Sequence, residues 1–234
     1  FACNDYLVIS PEDHLIGKDE CGEEVRTLKE SLPAVEKGVY GVNAETSSWL
    51  NVPVFLKCWG KVIESGKVWK QDFTVKLDPD AVFFPARLAA VLAPHKGRPV
   101  FTTDCRYWGG DTVGKLFGSI EVLSKQAIGS YKDKAETCKG LPWQRWGEDM
   151  WMQKCMESLQ IPAVGMFDHV SDNTCPLGGY ASCGEAKVVF HPKKDAGQWW
   201  ECWKQSDKAG DAANRYIGEV GPATRLGMEA AVKK

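Results

Sequence analysis

Two carboxylates one residue apart, Asp78-Pro79-Asp80, close the alternating, β-branched run Phe73 to Leu77 and are followed at once by the apolar Ala81-Val82-Phe83-Phe84. Paired carboxylates at a strand end offer hard oxygen ligands to a divalent cation, which can in turn bridge the phosphates of a nucleotide. The same tripeptide is also a plain turn former. Its place between two hydrophobic runs shifts the reading towards chemistry, because carboxylates held there are costly unless something satisfies them. A second acidic pair, Glu148-Asp149, follows Gly147 where an amphipathic helix is predicted to begin. Backbone N–H groups and the helix dipole stabilise acids in a first turn, so the pair reads either as an ordinary charged helix start or as a general base for an incoming hydroxyl. His191, one of four histidines, ends the strand-like Lys187-Val188-Val189-Phe190 and precedes Pro192. It reads either as structural or as a ligand. Three such groups at the carboxyl ends of successive elements mark the edge along which open α/β sheets bind ligands.

The elements that must position these groups alternate between strand-like and helix-like runs, an α/β pattern. Tyr6 to Ile9 reads as a first strand, a polar and charged stretch follows from Pro11 to Lys29, and Gly38 to Val42 reads as a short second strand. Leu50, Val54, Cys58 and Val62 recur at helical spacing, with Pro53 near the start and Gly66 beyond the end. Further strands are predicted at Phe73–Leu77, Pro99–Thr103 and Gly118–Leu123, with Pro85 opening a helix and Ser124 placed to cap another that runs towards Ala135. From Glu148, the residues Trp151, Met152, Cys155, Met156 and Leu159 form an apolar stripe bounded by Gly147 and Pro162. A Trp-rich helix is predicted from about Asp195 to Gln205, and the last thirty residues lack strong periodicity. They are expected to form a tail, 205–234, that wraps the domain or reaches a neighbour, outside a single domain spanning 1–204. The chain opens at Phe1 rather than Met, which suggests a processed or trimmed piece of a longer product.

Composition narrows the partners. With 234 residues and 44% hydrophobic content the chain can bury one large core. The 29 Lys and Arg against 31 Asp and Glu provide no broad basic field, so nucleic acid and anionic membrane are not expected partners. No run of about eighteen apolar residues is present, so no transmembrane segment is expected in this chain. None of the nine cysteines shows the Cys-x-x-Cys spacing of zinc or thioredoxin-like sites. Disulfides in an oxidising lumen are the favoured reading, buried free thiols the other, and the odd count leaves at least one thiol unpaired. Cys175 and Cys183, which enclose Pro176-Leu177-Gly178-Gly179-Tyr180, are a local candidate bridge. Among ten tryptophans, Trp199, Trp200 and Trp203 share one or so helical turns, while Trp143, Trp146 and Trp151 bracket Glu148-Asp149. Core packing, stacking on sugar faces and docking on a protein neighbour all suit indoles. Trp143 and Trp146, in a polar loop, are the aromatics expected to meet a bound sugar or a protein partner.

Taken in order, Asp78-Pro79-Asp80, Gly118 within Phe117-Gly118-Ser119-Ile120-Glu121-Val122, Gly147-Glu148-Asp149 and Phe190-His191 resemble the motif series of GT-A fold glycosyltransferases. The similarity is to the fringe-like and β1,3-galactosyltransferase-like group and covers residues 1 to about 204. More narrowly, Phe1-Ala2-Cys3-Asn4-Asp5-Tyr6, Lys76-Leu77-Asp78-Pro79-Asp80-Ala81-Val82-Phe83-Phe84-Pro85 and Val188-Val189-Phe190-His191-Pro192 resemble uncharacterised glycosyltransferase-like proteins of dinoflagellate-type algae. The resemblance implies a Rossmann-type mixed sheet flanked by helices, whose usual first strand would precede Phe1. It implies that Asp80, with Asp78, holds Mn²⁺ or Mg²⁺ on the diphosphate of a UDP-sugar and that His191 completes the coordination. Gly118 would lie beside the donor sugar, and Asp149, with Glu148 beside it, would remove the proton of a hydroxyl on a glycan or protein acceptor. The segment Asp104–Lys115, with Trp108-Gly109-Gly110-Asp111, would cover the cleft or fill it. The expected activity is metal-dependent sugar transfer in a Golgi-like, ER-like or other organelle lumen. Its alternative is an inactive module of the same fold that serves as an accessory subunit through its Trp surface and tail. A glycosidase built on two carboxylates is a more remote reading.

Overall fold

A computed structural model describes residues 3–19, 21–45, 47–107, 112–177 and 182–214. Near the start, β1 (Ile9–Ser10), β2 (Leu15–Lys18), β3 (Glu24–Arg26) and β4 (Leu28–Lys29) precede helix α1 (Val52–Glu64). Then come β5 (Phe73–Leu77), β6 (Val82–Phe83), α2 (Pro85–Leu92), β7 (Phe101–Thr103), β8 (Ile120–Ser124), α3 (Lys125–Asp133), α4 (Ala135–Lys139) and α5 (Glu148–Ser158). β9 (Ala163–Gly165), β10 (Val170–Asp172), β11 (Val189–His191) and α6 (Ala196–Asn214) complete the described order.

The central sheet has the order β5-β8-β7-β9, with β8 antiparallel to both neighbours and β9 parallel to β7. A second sheet, β10-β11-β6, pairs β10 parallel and β6 antiparallel to β11. Every residue of β8 is buried, because helices or strands cover both of its faces. Alternation along the strand sorts the side chains. Ile120 and Val122 join Leu88, Leu92, Met166, Val170 and Val189 in one cluster, while Leu123 joins Phe101, Trp59, Ile128, Trp151 and Met156 beneath α1, α3 and α5. A third cluster, Val82, Phe84, Phe190 and Cys202, packs with Trp199 and Trp203 and seats α6 on the second sheet. The α/β expectation therefore holds as a mixed fold of several sheets and six helices among the described residues.

Most long elements follow from local signals. α1 begins with Pro53 in its first turn, and the chain leaves its end through Gly66 at φ +72°, a conformation that favours glycine. Ser124 caps α3 by accepting from the Ala127 N–H at 3.1 Å. Other expectations need correction. Gly38–Val42 is not a strand: Asn43 Oδ1 accepts the Val39 N–H at 2.7 Å and closes a turn, leaving Val39, Tyr40 and Val42 exposed. The polar stretch Pro11–Lys29 contains the antiparallel pair β2 and β3, and β4 lies parallel to β1. β9 and β10 carry no periodic signal at three residues each; distant pairing with β7 and β11 makes them strands. α6 continues past Gln205 to Asn214.

Three disulfides form: Cys105–Cys175, Cys138–Cys155 and Cys183–Cys202. The expected Cys175–Cys183 bridge does not. Cys175 instead meets the end of β7, and Cys183 meets α6, so each thiol is claimed by an element remote in sequence. Cys3, Cys21 and Cys58 are free. Trp108-Gly109-Gly110-Asp111, Gly178 to Tyr180, Phe1-Ala2 and residues 215–234 of the expected tail 205–234 lie outside the described residues. No described helix is long and apolar enough to cross a membrane.

Ser124 Oγ also accepts the Val100 N–H at 3.0 Å, so this one buried hydroxyl serves both a helix start and the strand beside it. Ser124→Ala orphans two donors and is expected to cost about 2 kcal/mol. Urea unfolding would show a lower midpoint at unchanged slope.

Candidate functional site

The carboxyl end of β5, the loop before β8, the N-terminus of α5 and the end of β11 meet at one edge. Antiparallel register brings Leu77 opposite Ile120, which sets Gly118 beside Asp78. The same register pairs Lys76 with Glu121. Both side chains point to the face covered by α1 and α5, so a strand position that reads as solvent-facing is half-buried. Lys76 Nζ donates to Asp78 Oδ1 and to the Gly118 carbonyl, both at 2.9 Å. It also lies 3.0 Å from Glu121 Oε1 and 2.8 Å from Glu148 Oε1. These two oxygens have no well-aligned hydrogen bond, so charge rather than direction holds them.

The charges in this cluster do not balance if all are ionised. Burial opposes a charge on Lys76, but Glu121, Glu148 and Asp78 outweigh it and hold the ammonium well above its ordinary pKa. The Glu148 pKa is also driven up, first by burial and then by the neighbouring Glu121 charge, well above the usual carboxylate range. Glu148 is thus part of the support of the site. Asp149, next along the helix, keeps some solvent contact, yet burial of its carboxyl and the adjacent Glu148 push its pKa up to about 6. That value suits a group which takes a proton near neutral pH.

Two remote residues set the start of α5. Asn51 Oδ1 accepts the Glu148 N–H at 3.0 Å, although Asn51 precedes α1 in the chain. Gly147 lies so close to Ser48 that a Cβ would collide with Ser48 Oγ and would stand 2.8 Å from Asp149 Oδ1. Close approach, not φ, requires glycine there. Trp143 and Trp146, just ahead, line a cleft of about 470 Å³ with Leu50, Val52 and Pro53.

Asp78, Asp80 and His191 converge beyond Lys76. Their ligand atoms all lie within 4.8 Å of one another. His191 Nε2 is 3.4 Å from Asp80 Oδ1 and 3.9 Å from Asp78 Oδ2. Neighbouring ligands around an ion with bonds of about 2.1 Å sit roughly 3 Å apart, so a small closure of the three side chains would make a facial site. Two carboxylates and one imidazole suit a divalent ion of the Mn²⁺ or Zn²⁺ kind. The residues lie close enough to bind a metal ion.

Asp172, unremarked in the sequence, completes the arrangement. Its Oδ2 lies 3.0 Å from His191 Nδ1, while Oδ1 accepts from the Thr174 N–H and hydroxyl at 2.8 and 2.6 Å. A carboxylate on Nδ1 leaves Nε2 as the free nitrogen aimed at Asp78 and Asp80, the usual support of a metal-binding histidine. Burial alone would raise the Asp172 pKa; the bonds from His191 and Thr174 win and lower it. Burial would likewise lower that of His191, but Asp172, then Asp80 and Asp78, raise it. The parallel register Asp172↔His191 creates the pair, and a three-residue strand gave no advance sign of it.

Asp104, at the end of β7, is a further buried acid. It accepts from the Phe117 N–H at 2.6 Å and the Ser119 hydroxyl at 2.9 Å, and burial pushes its pKa well up despite those bonds. It fixes the loop that carries Gly118. Gly118 faces Asp78, where a Cβ would meet the carboxylate at 3.6 Å. The six residues offered by the sequence as site residues, Asp78, Asp80, Gly118, Glu148, Asp149 and His191, therefore lie at this edge. The chain matches no protein-family model and no curated protein.

Lys76→Met would leave three carboxylates, two of them deeply buried, without their cation. A loss of about 3 kcal/mol or more is expected at pH 8, shrinking towards pH 5 as the stranded acids take up protons. Denaturant unfolding at the two pH values reads it. A divalent ion must also displace the His191 proton. Mn²⁺ affinity measured by calorimetry should fall by up to about tenfold per pH unit below the raised His191 pKa. In the ion-free protein the sign reverses: the raised pKa contributes stability below the ordinary value of about 6.5 and that contribution fades as pH rises through the folded value.

Proposed function

We propose that the chain is a GT-A-type, metal-dependent domain that transfers a sugar from a UDP-sugar to a hydroxyl acceptor. The single observation that carries this reading is the convergence of Asp78, Asp80 and His191, with Asp172 on the far nitrogen of the histidine and the acidic pair at the start of α5 alongside. The order of these groups along the chain is also that of the motif series they resemble.

In this reading Asp78, Asp80 and His191 would hold Mn²⁺, or Mg²⁺. A bound divalent ion supplies charge stabilisation to the leaving diphosphate. Asp172 fixes the His191 ring and its tautomer. Lys76 binds Asp78 and the Gly118 carbonyl together, so the donor side keeps its shape when the ion comes and goes. Asp149 takes the acceptor proton, and its pKa of about 6 leaves it ionised at neutral pH. Trp143 and Trp146 offer indole faces in a cleft whose other wall, Leu50 to Pro53, flanks the residue that caps α5. A sugar acceptor stacked there would lie on the Asp149 side of the site. The three disulfides favour an oxidising lumen as the place of action.

One feature favours a second reading, a catalytically silent module that docks on other proteins. Val39, Tyr40, Val42 and Trp49 are each more than half exposed and lie within one short segment. Such a module would keep the edge residues for support and would not bind nucleotide.

Thermal unfolding with UDP, with and without Mn²⁺, separates the two. At a hundredfold excess over Kd a true ligand adds about 2.7 kcal/mol, or about 5 to 10 °C for a chain of this size. The shift is expected only with the metal, and Asp80→Ala or His191→Ala should remove it. Its absence in the unaltered protein would sink the enzyme reading. Where transfer or donor hydrolysis is measured, Asp149→Asn should lower kcat by about 10² to 10⁴, and the unaltered rate should climb as pH rises through about 6.

A further inference from the structure

Lys194 lies three residues beyond His191, and its ammonium stands on the metal-facing carboxylate: Nζ is 2.9 Å from Asp80 Oδ2. The two partners are unlike. The Lys194 side chain is 81% exposed and the Asp80 side chain 19% exposed, so a mobile cation reaches in from solvent to a fixed acid. The fixed side is held by backbone, because the Lys193 N–H donates to the Asp80 carbonyl at 2.7 Å and clamps the segment after β11 to the turn before β6. Asp80 Oδ1 meanwhile faces His191 Nε2. One carboxylate is thus shared between the ligand histidine and a tethered ammonium.

A divalent ion on Asp80 repels an ammonium at this distance. The long, exposed stem lets Lys194 leave with little to hold it back, since an ion pair this open to water is weak. The ammonium would then remain at the mouth of the same site, within reach of a diphosphate that the ion would hold. Lysine is well suited to phosphate as a compact, freely oriented point charge.

Resting on the metal and nucleotide-sugar reading above, we infer that Lys194 is an exchangeable cation: it neutralises Asp80 when the site holds no ion and moves to the diphosphate when ion and donor enter together. The ion alone must then compete with Lys194, whereas the ion with a diphosphate recruits it. Metal and nucleotide become coupled through one side chain.

Lys194→Ala makes opposite predictions for two probes. Calorimetry with Mn²⁺ alone should show binding tighter by about twofold to fivefold, since the competing ammonium is gone. UDP titrated at saturating Mn²⁺ should bind about tenfold more weakly, since a charge-assisted phosphate contact is lost. Lys194→Arg should keep most of the UDP affinity, and Lys204→Ala, another exposed lysine, should leave both unchanged. Unfolding without ligands checks that each variant folds. Mn²⁺ binding unchanged or weakened in Lys194→Ala, or UDP binding unchanged, overturns the exchange. Failure of the unaltered protein to bind UDP with Mn²⁺ instead overturns the transferase reading, and the diphosphate half of the exchange with it.

Discussion

One ammonium neutralises carboxylates delivered by three separate segments, and the arrangement of the edge depends on it. Lys76 belongs to β5, Glu121 to β8, Glu148 to the first turn of α5 and Asp78 to the turn after β5. Acids this deeply buried are tolerated only with a cation among them. Lys76 supplies it. Because one ammonium serves them all, the strand pair, the helix and the loop at Gly118 cannot shift independently. Asp78 and Asp149 sit at the rim of that cluster and inherit its fixed geometry.

The rim then divides the labour. On one side Asp78 and Asp80 face the free nitrogen of His191, whose other nitrogen is held by Asp172, itself held by Thr174. Each partner removes a degree of freedom from the next. On the other side Asp149 and the tryptophans at 143 and 146 adjoin the capped start of α5. The Lys76 cluster touches both sides, through Asp78 on one and Glu148 on the other. The disulfides act further out: Cys105–Cys175 joins the end of β7 to the turn after β10, so the strand ends carrying Asp104 and Asp172 stay together.

Much of the site was legible from residue types. Asp78 and Asp80 stood between hydrophobic runs, Glu148 and Asp149 opened a clear amphipathic stripe, and His191 ended a strand. Each signal is local, and each named residue lies at the edge. The partners that give those residues their chemistry were not legible. Lys76 looks like the polar position of an alternating strand because alternation reports which face a residue shares, and not what covers that face. Asp172 lies in a three-residue strand, too short for any period to show. The bridge expected between Cys175 and Cys183 failed for a related reason: nearness in sequence was a poor guide once β10 and α6 had drawn the two thiols apart.

The sequence by itself determined the helices and longer strands, through spacing, caps and breakers, and it placed the ionisable groups at their ends. Those properties act over a few residues, where propensity and hydrogen bonding within a turn decide the outcome. Only the tertiary structure decided that the ends converge, that a lysine is buried among acids, that Asp172 orients His191 and that Lys194 reaches Asp80. Register between strands far apart in the chain governs all four. Register is set by which faces bury apolar surface together, a property of the packed whole that no single stretch of residues contains.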